Sequence, residues 1–180
     1  MSTIPKTSWV KAYIGLGSNV GDRVYFLQHA IFRLGRTEGF RIRKISSLYE
    51  TDPLYKEGQP PFLNEVLEAE VILSPEALLK MLKRLERELG RSVREVWGPR
   101  EIDLDLLSYG DLVVETSSLS VPHPRLHERD FVLIPLAEIA PTWTHPKFKK
   151  SVKTLLAEGR GVFHESHPKP YRVEVVGEAL

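Results

Sequence analysis

The stretch 62-FLNEVLEAEVILSPEALLKMLKRLERELG-90 changes its apolar period across a single Ser-Pro step. Before the step, Leu63, Leu67, Ala69, Val71 and Leu73 fall on one side of an extended chain, as a strand's period of two requires. After it, Leu78, Leu82, Leu85 and Leu89 recur at helical spacing, and the stripe stops at Gly90. Ser74 suits the N-cap and Pro75 the first helical position. A strand handing directly to an amphipathic helix has to lay that helix back over a sheet, because each element has one face to bury.

The same succession occurs earlier in the chain. VKAYIGL at 10–16 alternates with Ala12, Ile14 and Leu16 on one side and runs into the glycine turn 15-GLGSNVGD-22. Val24, Leu27, Ile31 and Leu34 then predict a helix over 22–36, with Gly35 and Gly39 around its end. Residues 41–51 predict a second strand, 52–61 a turn-rich loop and 101–107 a fourth strand after the charged loop 91–100. The segment 110–115 is expected to pair with that fourth strand as a hairpin partner. The order strand, helix, strand, strand, helix, strand predicts an α+β, ferredoxin-like fold: an antiparallel sheet with both helices on one face and the opposite face free for a ligand. Further along, 131–141 suggests a short helix broken or restarted at Pro135, 151–158 a helix and 171–176 a late strand. The expected domain spans 10–158, followed by a C-terminal extension, 159–180, with no assigned role.

Composition narrows the function classes. A chain of 180 residues can bury an independent core, and the absence of cysteine excludes disulfides, thiolate metal sites and a cysteine nucleophile. No apolar run approaches a membrane span, and residues 1–11 lack the apolar core of a secretory signal, so a cytoplasmic protein without a membrane partner is expected. A net charge of +1 does not suggest a dedicated nucleic-acid binder. Charge is nevertheless uneven: Pro75 to Arg100 holds seven Lys and Arg against four Glu, just ahead of an acidic strand.

That strand lies in 97-WGPREIDLDLL-107, where a period of two sends Asp103 and Asp105 to one face and Ile102, Leu104 and Leu106 to the other. Adjacent like charges repel, so the pair is either the solvated face of an edge strand or the seat of a cation. Magnesium takes oxygen ligands and is bound through one or two carboxylates when substrate phosphates complete its shell. Arg91, Arg94 and Arg100 upstream and Arg125 and Arg129 downstream suit phosphate oxygens, and with the indole of Trp97 they suggest a nucleotide. The turn 15–22 is not a dinucleotide fingerprint, because its third glycine falls one place late. His123 and His127 are not a helical zinc pair, since Pro122 and Pro124 flank the first; an imidazole near phosphate suits His123. On local evidence alone Phe62 and Phe131 read as core residues. An RNA-binding module using the basic helix 75–91 is the alternative class, and the acidic strand argues against it.

Taken together, 13-YIGLGSN-19, 47-SLYETDPL-54, 59-QPPFLNEV-66, 97-WGPREIDLDLL-107 and 121-VPHPRLHERDFVLIPLAEIAP-141 resemble the 6-hydroxymethyl-7,8-dihydropterin pyrophosphokinase family of folate biosynthesis. The resemblance implies a ferredoxin-like enzyme that transfers the β,γ-diphosphate of ATP to the hydroxymethyl oxygen of the pterin and releases AMP, with two magnesium ions. It implies that Asp103 and Asp105 hold both ions and that Arg91, Arg100, His123 and Arg129 contact the triphosphate. Glu86, Trp97 and Leu106 would line the nucleotide side. Phe62 and Phe131 would sandwich the pterin ring, with Thr51, Leu54 and Asn64 reading its polar edge. Its partners would be these small molecules, not nucleic acid. Lys83, where some relatives have glutamine, and Asp52, where a proline is frequent, depart from the pattern, and the loop 91–96 is about one residue short.

Overall fold

The computed structural model describes residues 8–53, 58–92, 98–158 and 168–172. Its central strand is β1 (Val10–Ser18), flanked antiparallel by β4 (Phe62–Val71) and β5 (Asp103–Tyr109), with Ile14 opposite Leu67 on one side and Leu106 on the other. β1 runs on to Ser18, so Gly15 and Gly17 are strand residues, not turn residues. The predicted second strand is two: β2 (Phe40–Ile45) and β3 (Tyr49–Thr51), both paired with β4. The break falls at Ser46, whose N–H donates to the Val66 carbonyl at 3.0 Å while its Oγ accepts from the Val66 N–H at 2.9 Å. A hydroxyl thus does the work of a ladder carbonyl, and the backbone is released to bend.

Helices α1 (Arg23–Gly35) and α2 (Pro75–Glu88) lie on one face, as predicted. Asp22 caps the first by accepting from the Tyr25 N–H, and Ser74 caps the second by accepting from the Ala77 N–H. Leu27, Leu34, Leu78 and Leu82 meet Ile14, Leu67 and Leu104 in a core of fully buried side chains. The other face is only partly free. Helices α3 (Asp130–Ile139) and α4 (Val152–Glu158) cover much of it, packing Leu133, Leu136 and Leu155 against Tyr13, Val66 and Leu107. α3 does not break at Pro135: proline costs it the bond to the Phe131 carbonyl, and burial of Val132, Leu133 and Leu136 offsets that loss. At its far end Glu138 accepts from Ser47 N–H, Ser47 Oγ and Tyr49 Oη, all within 3.0 Å, and fastens α3 to the β2–β3 junction.

Two further expectations are corrected. Segment 110–115 does not pair with the acidic strand: β6 (Val114–Glu115) pairs with β7 (Ser120–Val121), closed by a Thr116 N–H to Leu119 carbonyl bond of 2.8 Å. The late strand comes earlier than expected, as β8 (Lys169–Pro170), which pairs with Tyr49 and Glu50 on β3, while Tyr171 N–H bonds the Leu48 carbonyl. Residues 173–176 of that expectation lie outside the described residues. No described helix is long and apolar enough to cross a membrane.

Candidate active site

Where α3 leaves the sheet uncovered, a pocket of about 370 Å³ opens over β1, β4 and β5. The register explains the opening: Asp103 stands opposite Gly17 and Asp105 opposite Gly15, so no β1 side chain fills the space beside the carboxylates. At Gly17 the lack of a side chain serves a second purpose. A Cβ there would come within 3.0 Å of Asn64 Oδ1, displacing the amide whose Nδ2 donates to Thr51 Oγ1 at 2.8 Å.

One side of the pocket is charged. Asp103 Oδ1 accepts from Arg91 Nη1 at 2.8 Å and Oδ2 from Arg100 Nη1 at 2.6 Å. Burial alone would push this carboxyl up, but Lys83, Arg100 and Arg91 prevail and hold it below the usual carboxylate range. Lys83 Nζ lies 3.5 Å from Asp105 Oδ1 and 3.8 Å from Asp103 Oδ1, while donating to Glu86 Oε1 at 2.7 Å and the Leu104 carbonyl at 2.8 Å. His123 Nδ1 accepts from the Arg125 N–H at 3.2 Å, which leaves the ring proton on Nε2. Burial, assisted by Arg129, outweighs Asp105 and lowers the basicity of this imidazole, so it is neutral at pH 7. Arg129 is 8% exposed, and its Nε has no hydrogen-bond partner among the described residues.

The other side is aromatic and amide-lined: Phe62 and Asn64 from β4, Thr51 from β3 and Phe131 from the first turn of α3. The Arg129 guanidinium sits 5.5 Å from the Phe131 ring centroid and joins the two sides. Asn19, 1% exposed, ties the loops around the mouth, accepting from the Arg100 N–H at 2.7 Å and donating to the Pro60 carbonyl at 3.2 Å.

A match to the family model described as 7,8-dihydro-6-hydroxymethylpterin-pyrophosphokinase (HPPK) covers residues 13–141. The chain belongs to this pyrophosphokinase family. The 2-amino-4-hydroxy-6-hydroxymethyldihydropteridine pyrophosphokinase of Aquifex aeolicus is 48% identical over 146 residues, covering 81% of this chain and 90% of that one. The Bacillus subtilis enzyme is 48% identical over 128 residues, covering 71% and 77% respectively. Among solved structures, wild-type HPPK-DHPS of Plasmodium falciparum superposes with a TM-score of 0.68 at 14% identity over 84% of this chain, a likeness of fold. The chain spans 44% of the length of that structure.

Of the residues that the family resemblance singles out, Thr51, Phe62, Asn64, Arg91, Arg100 and the two aspartates line this pocket, as do His123, Arg129 and Phe131. Glu86 and Leu106 do not. Glu86 is 3% exposed and lies behind the pocket wall, where it is paired with Arg91 and accepts from the Leu104 N–H. Leu106 belongs to the helix-side core, on the face of β5 away from Asp105. Leu54, Arg94 and Trp97 lie outside the described residues. The sequence singles out Lys83 but not its contacts, which join α2 to the acidic strand, and it does not single out Asn19, which joins the end of β1 to the loop before that strand.

The donor set suits a hard divalent cation. Two carboxylates face open space beside glycines, and Asp105 is about one-third exposed to it. Among the described residues no group of three or more His, Cys, Asp or Glu side chains is placed to hold a metal ion, so water and phosphate oxygens have to complete any coordination shell.

Proposed function

We propose that this pocket carries out the family's reaction: transfer of the β,γ-diphosphate of ATP to the hydroxymethyl group of 6-hydroxymethyl-7,8-dihydropterin, giving the pterin diphosphate and AMP. The observation that supports it best is the joining, in one pocket, of a carboxylate pair ringed by Lys83, Arg91 and Arg100 to a wall built of Phe62, Phe131 and the Asn64 amide. Asp103 and Asp105 would hold two magnesium ions. Those ions, when bound, neutralise phosphate charge and polarise the bridging oxygens.

The residues do the rest by alignment and electrostatics, since phosphoryl-type transfer asks for little covalent chemistry from the protein. Phe62 and Phe131 hold the flat pterin ring by its faces. Asn64, oriented by its bond to Thr51, reads the ring's amide-like edge. Arg91, Arg100 and Arg129 draw off charge from the triphosphate, and neutral His123 donates Nε2–H to a phosphate oxygen. Arg129 Nε, buried without a partner among the described residues, is supplied with one by that anion. The activity resides in a domain spanning 10–158 and operates in the cytoplasm, where ATP is abundant.

Product analysis tests the reading. With ATP, magnesium and the pterin together, AMP should accumulate, and omission of either partner should stop it. ADP in place of AMP would refute diphosphate transfer, and no nucleotide product from folded protein would refute the enzyme assignment.

A further inference from the structure

Lys83 Nζ lies within 4 Å of both proposed metal ligands, 3.5 Å from Asp105 Oδ1 and 3.8 Å from Asp103 Oδ1, and it is fixed there. Its ammonium donates to Glu86 Oε1 and to the Leu104 carbonyl, two acceptors belonging to the buried wall behind the pocket. The charges around it already cancel: Asp103, Asp105 and Glu86 stand against Lys83, Arg91 and Arg100. Asp103 is further committed to its two arginines, so Asp105 is the carboxylate with the most to offer an incoming cation, and Lys83 is the cation beside it.

We propose that Lys83 is a built-in counter-ion that weakens binding of a bare divalent cation and makes metal and nucleotide binding mutually dependent. This rests on Asp103 and Asp105 being the metal ligands. A divalent ion entering alone turns a neutral cluster into one of charge +2 beside a fixed ammonium, which opposes it. A polyphosphate entering with the ion meets the same ammonium, which now attracts it. Lys83 therefore penalises one partial complex and favours the full one, which is a positive coupling free energy between two ligands. The consequence is that the site stays free of unproductive metal until nucleotide arrives.

The test is a titration of the protein with Mn2+, with free ion measured by electron paramagnetic resonance, in the presence and absence of an ATP analogue carrying a methylene bridge between the α- and β-phosphates. Wild type, Lys83→Gln, Lys83→Met, Lys83→Arg and Asp105→Ala are compared, each checked for native circular dichroism. Lys83→Gln and Lys83→Met should bind Mn2+ alone about tenfold or more tightly than wild type, from removal of a like charge within contact range. The analogue should then tighten Mn2+ binding by a smaller factor than it does in wild type. Lys83→Arg should keep the wild-type coupling. Unchanged or weaker Mn2+ binding by folded Lys83→Gln or Lys83→Met would overturn the proposal. Loss of Mn2+ binding in Asp105→Ala alongside that result would leave the metal assignment standing and reject only the role of Lys83, whereas wild-type binding by Asp105→Ala would reject the metal assignment itself.

Discussion

Replacing Glu65 by leucine should stabilise the protein at pH 8 and do much less at pH 5. Glu65 lies on β4 opposite Leu16, and by the strand's period of two it shares the helix-side face with Leu63 and Leu67. It is 4% exposed, and its Oε1 has no hydrogen-bond partner among the described residues. Burial pushes the carboxyl from 4.5 up to about 7. Because the folded state holds this proton more tightly than the unfolded chain, ionisation of the group costs nothing below the unfolded value. Its cost grows as pH rises from about 4.5 and is complete above about 7. A difference of roughly 2.5 units at about 1.4 kcal/mol each gives about 3 kcal/mol of stability lost across that interval. Urea unfolding of wild type and Glu65→Leu at the two pH values isolates this quantity, because every other titrating group is common to both proteins. The leucine variant's advantage should grow by about 2–3 kcal/mol from pH 5 to pH 8. An advantage that does not change with pH would show that the carboxylate finds a charge partner on folding, and the reasoning would fail.

Other consequences can be checked more briefly. Asp105→Ala removes a solvent-facing carboxylate and no core volume, so steady-state turnover should fall about a hundredfold or more with the unfolding midpoint nearly unchanged. Wild-type turnover in that variant would sink its proposed role. Phe131→Ala should raise the Michaelis constant for the pterin about fivefold and leave that for ATP nearly constant, as loss of one stacking contact of order 1 kcal/mol requires. Equal changes in both would mean that the ring supports the fold instead. Ser74→Ala deletes the cap on the Ala77 N–H and should cost about 1 kcal/mol in thermal or urea unfolding, with kinetic constants unaffected.

The elements legible in the sequence are those whose signals are local. The Ser74 cap, Pro75 and the leucine stripe place α2 without knowledge of its neighbours, and the alternation of Asp103 with Leu104 places both carboxylates on one face. The same alternation puts the Leu106 side chain on the opposite face, where the structure has it. What was not legible depends on distant partners. The break at Ser46 needs Val66, and the persistence of α3 through Pro135 needs the sheet beneath it. The pairing of 114–115 was decided by the short turn to Leu119, not by nearness to β5. Within the site, the residue types around the aspartates were readable, but the reach of Lys83 from α2 across to β5 was not, because a long side chain's destination has no periodic signature.

α3 carries Phe131 in its first turn and Glu138 near its last, and the Glu138 carboxylate is bolted to Ser47 and Tyr49. Mechanically this makes α3 a lever arm. The seven residue steps from the aromatic tip to the bolt span about 10 Å, so a tilt of roughly 5° allowed at Glu138 swings the Phe131 end by about 1 Å. Displacements of that size are enough to spoil alignment in a transfer reaction. The gap between Phe131 and the Phe62 wall opposite it is therefore gauged at a carboxylate two helical turns away from it, on the exposed rim of the domain, where a change in sequence would retune the width of the slot without touching any residue that lines it.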